Sequence, residues 1–163
     1  MNIAIIGYGK MGKAIEELAI QRGHKIVLKI SIDNTEDNTK ENLQRADVAI
    51  EFSGPESAFE NIIKCVDAGL PVVCGSTGWL KKIEEAKDYV NSKNGAFIYA
   101  SNFSVGVNIF FALNERLAEL MAPHGDYDVS IKEVHHTQKL DAPSGTAISI
   151  AEQILERIPG KKT

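Results

Sequence analysis

The first twelve residues constrain the fold more than any other stretch. Asn2-Ile-Ala-Ile-Ile6 is a short apolar run, Gly7-Tyr-Gly9-Lys-Met-Gly12 follows at once, and a helical pattern then sets Met11, Ile15, Leu18 and Ala19 on one face. A short apolar run reads as a buried strand, clustered glycines as a turn, and near-3.6 spacing as a helix. Strand, glycine turn and helix in that order commit the chain to an α/β layout. They also match the dinucleotide-binding fingerprint. In that pattern Gly7 permits the tight turn, Gly9 lets backbone approach a pyrophosphate, and Gly12 lets helix and strand pack closely. Gly7, Tyr8, Gly9, Lys10, Met11 and Gly12 are therefore expected to hold a cofactor.

Strand and helix signals keep alternating to about residue 104. Gly23 stops the first helix, Lys25–Ile32 reads as a second strand, and the polar stretch Asn34–Asn42 reads as a loop with room for a short helical turn. Val48–Phe52 is a third strand, and Gly54-Pro55 opens a helix to about Ala68, with proline suited to a first turn. Pro71–Cys74, a helix from Trp79 to about Ser92, and Ala96–Ala100 complete the series. Such alternation specifies a parallel sheet, and ligands bind beyond the carboxyl ends of its strands. Gly7–Gly12, Asp33, Ser53-Gly54, Gly75-Ser-Thr-Gly78 and Ser101-Asn-Phe-Ser104 all fall there.

After Ser104 the pattern changes. Val105–Met121 reads as a long helix carrying Ile109, Phe110, Leu113, Leu117 and Leu120, and Pro123–Asp126 breaks it. Asp128–His135 alternates like a strand, Leu140–Gly145 is a loop, and Thr146 to about Arg157 is a final helix. One strand and one helix cannot cover both faces of a sheet. The expected architecture is α/β: a Rossmann-like parallel sheet over residues 1–104, followed over residues 105–163 by the start of an α+β substrate-binding domain, incomplete within these residues.

Three constellations carry chemistry. Asp33 lies 21 residues beyond Gly12, where a carboxylate accepts hydrogen bonds from adenosine ribose hydroxyls. It would repel a 2′-phosphate and so favours NADH, while Lys10 could offset it and leaves NADPH open. Gly75, Ser76 and Thr77 offer backbone and hydroxyls to a nicotinamide ribose or a substrate cleft, or simply cap the helix near Trp79. Glu133-Val-His-His-Thr-Gln-Lys139-Leu-Asp-Ala-Pro-Ser-Gly-Thr146 gathers two imidazoles, an ammonium and a Ser-Gly-Thr helix start. Imidazole and ammonium move protons near neutral pH, and Ser144, Gly145 and Thr146 present N–H groups and hydroxyls to an anion. This is the pattern of a site that protonates an anionic small molecule. In a strand His135 and His136 would point to opposite faces, and no cysteine or acidic cluster completes a ligand set, so no metal is expected.

Composition narrows the classes. The chain has 163 residues, 44% hydrophobic and 25% charged, with net charge −4, which offers no general attraction to nucleic acid. Cys65 and Cys74 lack metal-ligand spacing and read as buried free thiols. The first strand begins at Asn2 with no secretory segment before it, and Val105–Leu113 is too short to span a bilayer. A cytoplasmic protein without membrane contact is expected.

Taken in order, Gly7–Gly12, Glu51-Phe52-Ser53 with Pro55, Gly75-Ser-Thr-Gly78, Ala100-Ser-Asn-Phe-Ser-Val-Gly106 and Glu133–Thr146 resemble the 4-hydroxy-tetrahydrodipicolinate reductase (dihydrodipicolinate reductase) family. The resemblance covers essentially the whole chain. It implies hydride transfer from NADH or NADPH to a cyclic dicarboxylate in diaminopimelate and lysine biosynthesis, usually by a cytoplasmic homotetramer. It implies His135 as proton donor, Lys139 as its catalytic partner, and His136, Gly145 and Thr146 as substrate-binding. It also implies that Ala100, Ser101, Asn102 and Phe103 join Gly7–Gly12 and Gly75–Thr77 around the cofactor. Members of the family usually run longer, often have more residues between the second and third strands, and often carry Asp at position 51 and Thr at position 76. Rival readings are another dehydrogenase of an amino-acid precursor, or a fragment that binds nucleotide without turnover.

Overall fold

In the computed structural model, which describes residues 1–135, 137 and 142–160, the chain divides after Ala100 into two units. In the first unit, β1 (Asn2–Ile6), β2 (Lys25–Ile30), β3 (Val48–Glu51), β4 (Val72–Cys74) and β5 (Phe97–Tyr99) form one sheet in the order β2-β1-β3-β4-β5. Every neighbouring pair is parallel. The helices between them are α1 (Lys10–Gln21), the single turn α2 (Lys40–Leu43), α3 (Ala58–Asp67) and α4 (Ile83–Ser92).

Side-chain alternation along each strand divides the core into two layers. Ala4, Ile6, Leu28, Ile30, Ala49, Val72 and Cys74 pack with Ile62 and Cys65 of α3 and Ala86 and Val90 of α4. Their neighbours Ile3 and Ile5 pack with Ala19 of α1, bordered by Ile15, Ile26, Val48 and Ile50. Trp79 closes the end of the larger layer, edge-on to Phe97 and Tyr99, with its indole N–H donating to Ser76 O at 2.8 Å.

The elements are those the sequence predicts, with shorter ends. β2 stops at Ile30 rather than Ile32, because Asn34 Oδ1 accepts the Ser31 N–H (2.7 Å) and turns the chain away. α3 begins at Ala58 rather than at Gly54-Pro55, since Ser57 and Ala58 both donate to Gly54 O in a turn that precedes the helix. Within Asn34–Asn42 a 3₁₀ turn at Thr35–Asp37 and the start of α2 appear; Thr39 caps α2 by accepting the Asn42 N–H.

The second unit is built on α5 (Val105–Met121) and α6 (Gly145–Arg157). Ser104 Oγ accepts the Val107 N–H to start α5, and Ser144 Oγ accepts the Ala147 N–H to start α6. The helices are joined by Asn114 Nδ2, which donates to Ile150 O (3.2 Å) and Gln153 Oε1 (2.9 Å), and by Arg157 paired with Glu115 (3.2 Å). The expected strand at Asp128–His135 is not formed: none of its described residues enters a sheet. A strand exists only through its neighbour's backbone, and among the described residues of this unit no other segment forms one to pair with. Between this segment and the two helices runs an apolar groove of about 1100 Å³, lined by Phe110, Leu117, Val129, Ile131, Ile150 and Ile154 among others. Leu113 of α5 is 63% exposed and Ile109 58%.

Candidate active site

The strand ends of the first unit lie level with one another. Ile30 pairs with Ile6, Ile6 with Glu51, Glu51 with Cys74 and Cys74 with Tyr99, so Gly7, Ser31, Phe52, Gly75 and Ala100 all begin the carboxyl edge. Chain order reverses between β1 and β3, which opens a crevice where such sheets bind ligands. The edge therefore brings together Gly7–Gly12, Asp33, Gly75–Thr77 and Ala100.

The glycine turn is fixed by close approach. Gly7 has φ +96°, and a Cβ there would lie 2.1 Å from Phe52 O; a Cβ on Gly12 would lie 2.5 Å from Gly7 O. Around Gly9, by contrast, a Cβ would meet nothing within 4 Å. As the N-cap of α1, Gly9 also offers no side chain to the first N–H groups, leaving that helix end open to an anion. Lys10 and Met11 are exposed. Tyr8 turns inward: its N–H donates to Ile30 O (2.8 Å), its hydroxyl donates to Glu16, and Lys29 Nζ lies 4.8 Å from its ring centre. Its side chain thus ties α1 to β2, and its backbone N–H is taken up by the end of β2.

Asp33 is exposed just beyond β2, with its N–H donating to Ser31 Oγ at 3.1 Å. The turn that carries it is organised by Asn34, whose side chain accepts from Ser31 and donates to Lys29 O and Asp37. At the end of β4, Ser76 is 6% exposed and its Oγ has no hydrogen-bond partner, while Thr77 is exposed. A buried hydroxyl with unmet hydrogen-bonding capacity at the same sheet edge as an open glycine turn suits the ribose and phosphate oxygens of a dinucleotide.

Beneath this edge lies Glu51, fully buried. Its carboxylate accepts from the Ser53 N–H (3.0 Å), the Ser53 hydroxyl and the Cys74 thiol (2.9 Å). Ser53 Oγ in turn accepts from Asn61, which accepts from Asn38. The three donors satisfy carboxyl oxygens that burial would otherwise leave unpaired at a cost. The carboxylate and burial push the Cys74 thiol up, burial foremost, and burial pushes Cys65 up to about 12. Glu51 connects the ends of β3 and β4, a role no local motif announces.

In the second unit, Asn102 Oδ1 accepts the Ser104 N–H (2.8 Å), and Asn108 Nδ2 donates to Asn102 O (3.0 Å), shaping the entry to α5; Ser101 and Phe103 are exposed. The second cluster centres on Glu133. Its carboxylate lies 2.7 Å from His135 Nε2 and accepts from the Ser144 N–H (2.9 Å) and hydroxyl (2.5 Å). These bonds, the Ser144 hydroxyl first, hold the Glu133 carboxyl down at about 2. Ser144 is buried, its N–H and hydroxyl bonded to Glu133 and its Oγ accepting the Ala147 N–H, and Gly145 and Thr146 follow it as the first residues of α6. His136 and Lys139 lie outside the described residues. The sequence assigns Glu133 no role; its place two residues before His135 is the signal that could have found it.

A parallel sheet with a glycine turn at its point of reversal defines the class: an α/β protein of the dinucleotide-binding type, followed by a unit that carries an imidazole beside a helix start. The family model for the N-terminus of dihydrodipicolinate reductase matches residues 1–103, and that for its C-terminus matches residues 106–163. The chain belongs to the dihydrodipicolinate reductase family. A 4-hydroxy-tetrahydrodipicolinate reductase of Christiangramia forsetii is 53% identical over 157 residues, covering 96% of this chain and 65% of the relative. One from Chromobacterium violaceum is 41% identical over 118 residues, covering 71% of this chain and 42% of the relative. The dipicolinate-bound dihydrodipicolinate reductase of Paenisporosarcina sp. TG-14 superposes with a TM-score of 0.71 at 26% identity, over 100% of this chain and 68% of that one. The chain thus spans about two thirds or less of the curated relatives it matches.

Proposed function

We propose that this chain carries the cofactor-binding and proton-donating parts of an NAD(P)H-dependent 4-hydroxy-tetrahydrodipicolinate reductase, acting in diaminopimelate and lysine biosynthesis. The observation that supports it most is the pairing of an open glycine turn in the first unit with the Glu133–His135–Ser144 cluster in the second, within a chain matched by both family models. The first unit serves as the cofactor domain and the second as part of the substrate domain. Gly7–Gly12, Asp33, Gly75–Thr77 and Ala100–Phe103 hold the cofactor, which supplies the hydride when bound. Among these, Gly9 leaves room for a pyrophosphate, and Ser76 Oγ has hydrogen-bonding capacity to spare.

Reduction of an unsaturated ring by hydride leaves a second atom to be protonated. His135 supplies that proton, with Lys139 as its catalytic partner, as the resemblance implies. His136, Gly145 and Thr146 bind the substrate carboxylates, helped by the positive end of α6. Asp33 favours NADH over NADPH by repelling a 2′-phosphate. The same reading takes the working enzyme as a cytoplasmic homotetramer. Among the described residues no helix is long and apolar enough to cross a membrane.

The test is NADH oxidation in the presence of the condensation product of pyruvate and aspartate semialdehyde. Consumption that requires the condensation product is expected. NADH binding without consumption would instead leave a nucleotide-binding protein, and consumption with a different amino-acid precursor would point to another dehydrogenase.

A further inference from the structure

Among the described residues, Glu133 spends its carboxylate on two partners of different kinds. One is the imidazole of His135; the other is Ser144, the residue that starts α6 and that lies 11 positions further along the chain. An ordinary helix start needs only its own capping side chain, and Ser144 Oγ already provides that by accepting the Ala147 N–H at 3.0 Å. The Glu133 contacts are additional to the cap. A carboxylate on Nε2 fixes the proton of the neutral ring at that atom and leaves Nδ1 as the second site.

We propose that Glu133 is a positioning residue: it holds the proton donor His135 through Nε2, couples it to the start of α6 through Ser144, and leaves Nδ1 as the atom that delivers the proton. This rests on the reductase reading above. In the transfer, the Nδ1–H bond of the imidazolium breaks and its proton goes to the substrate atom next to the one that receives hydride. The ring is left neutral, with its remaining proton on Nε2 against the Glu133 carboxylate. Substrate carboxylates then meet the N–H groups of Gly145 and Thr146, set by the same carboxylate that sets the donor.

Glu133→Gln tests this, since it keeps the shape while removing the charge and one acceptor oxygen. The expected result is a kcat lowered about ten- to a hundredfold, part of the roughly 10²–10⁴ that a positioned acid contributes, with KM for NADH changed by less than about twofold. The ¹⁵N resonances of the His135 ring, read in the free protein, should shift in the same variant. A merely structural carboxylate would lower the thermal midpoint and leave kcat per folded molecule and the ring resonances as they were; either outcome overturns the proposal. If the unaltered chain neither oxidises NADH with the condensation product nor binds dipicolinate by calorimetry, the reductase reading falls and takes the catalytic role of Glu133 with it. The ring resonances still decide whether Glu133 holds His135.

Discussion

At the scale of single residues, some candidate positions can be read from the sequence and others only from the structure. Glycines at 7, 9 and 12, the carboxylate at 33 and the imidazole at 135 are legible because their chemistry or spacing is local. Glu51 and Asn34 are not, because their partners come from other strands or from a turn whose path must be known. His135→Gln is expected to lower turnover by about 10²-fold or more while leaving NADH affinity nearly intact, checked by steady-state kinetics beside fluorescence titration. Asp33→Ala should weaken NADH relative to NADPH; an unaltered ratio of the two KM values would remove Asp33 from the cofactor site. The thiols offer a third check. With burial raising both Cys65 and Cys74, neither should react with a disulfide reagent in the native protein near pH 8, and both should react on unfolding.

At the scale of elements, boundaries were less legible than existence, and the reason is the same each time. The end of β2 depends on the side chain of Asn34, and the start of α3 on a turn closed by Gly54 O, neither of which periodicity reports. Asp128–His135 has the alternation of a strand but finds no neighbour, because pairing is a property of two segments. The β1–α1 junction was legible because sterics there are unforgiving. Gly12→Ala should cost about 1–3 kcal/mol, since its methyl would sit 2.5 Å from Gly7 O and must push α1 from the sheet. Urea denaturation measures it. The Glu133–Ser144 contact gives a pH-dependent counterpart at α6. The carboxyl is lowered from 4.5 to about 2 by its bonds to Ser144 and His135, so the folded state favours the ionised form. Its contribution is fully present above the ordinary value of 4.5 and is lost as pH falls towards 2. The carboxyl's part of the difference in unfolding midpoint between the unaltered protein and Glu133→Gln should therefore shrink as pH falls below 4.5 towards 2.

At the scale of the molecule, the two units bury their apolar surface to different degrees, and the difference bears on assembly. The first has continuous layers on its sheet, with Ile5, Ile6 and Ile62 removed from solvent. In the second, Ile109, Phe110, Leu113, Leu117 and Leu120 of α5 are each more than half exposed, and apolar side chains such as Phe110, Leu117, Ile150 and Ile154 line much of the groove beside α6. Apolar exposure on that scale is unusual for a surface facing only water, and the homotetramer proposed above is one assembly that would cover it. The expectation that follows concerns local stability. Amide exchange should be slow in β1, β3 and β4 and faster in α5 and α6 when the protein is dilute, because fewer apolar contacts oppose local opening there. If the second unit joins other copies, raising the concentration should slow exchange in α5 selectively while leaving β1 unchanged, since association stabilises by mass action only the surface it covers. Light scattering on the same samples reads the mass. Exchange in α5 that is concentration-independent, with a monomer mass throughout, would count against the tetramer.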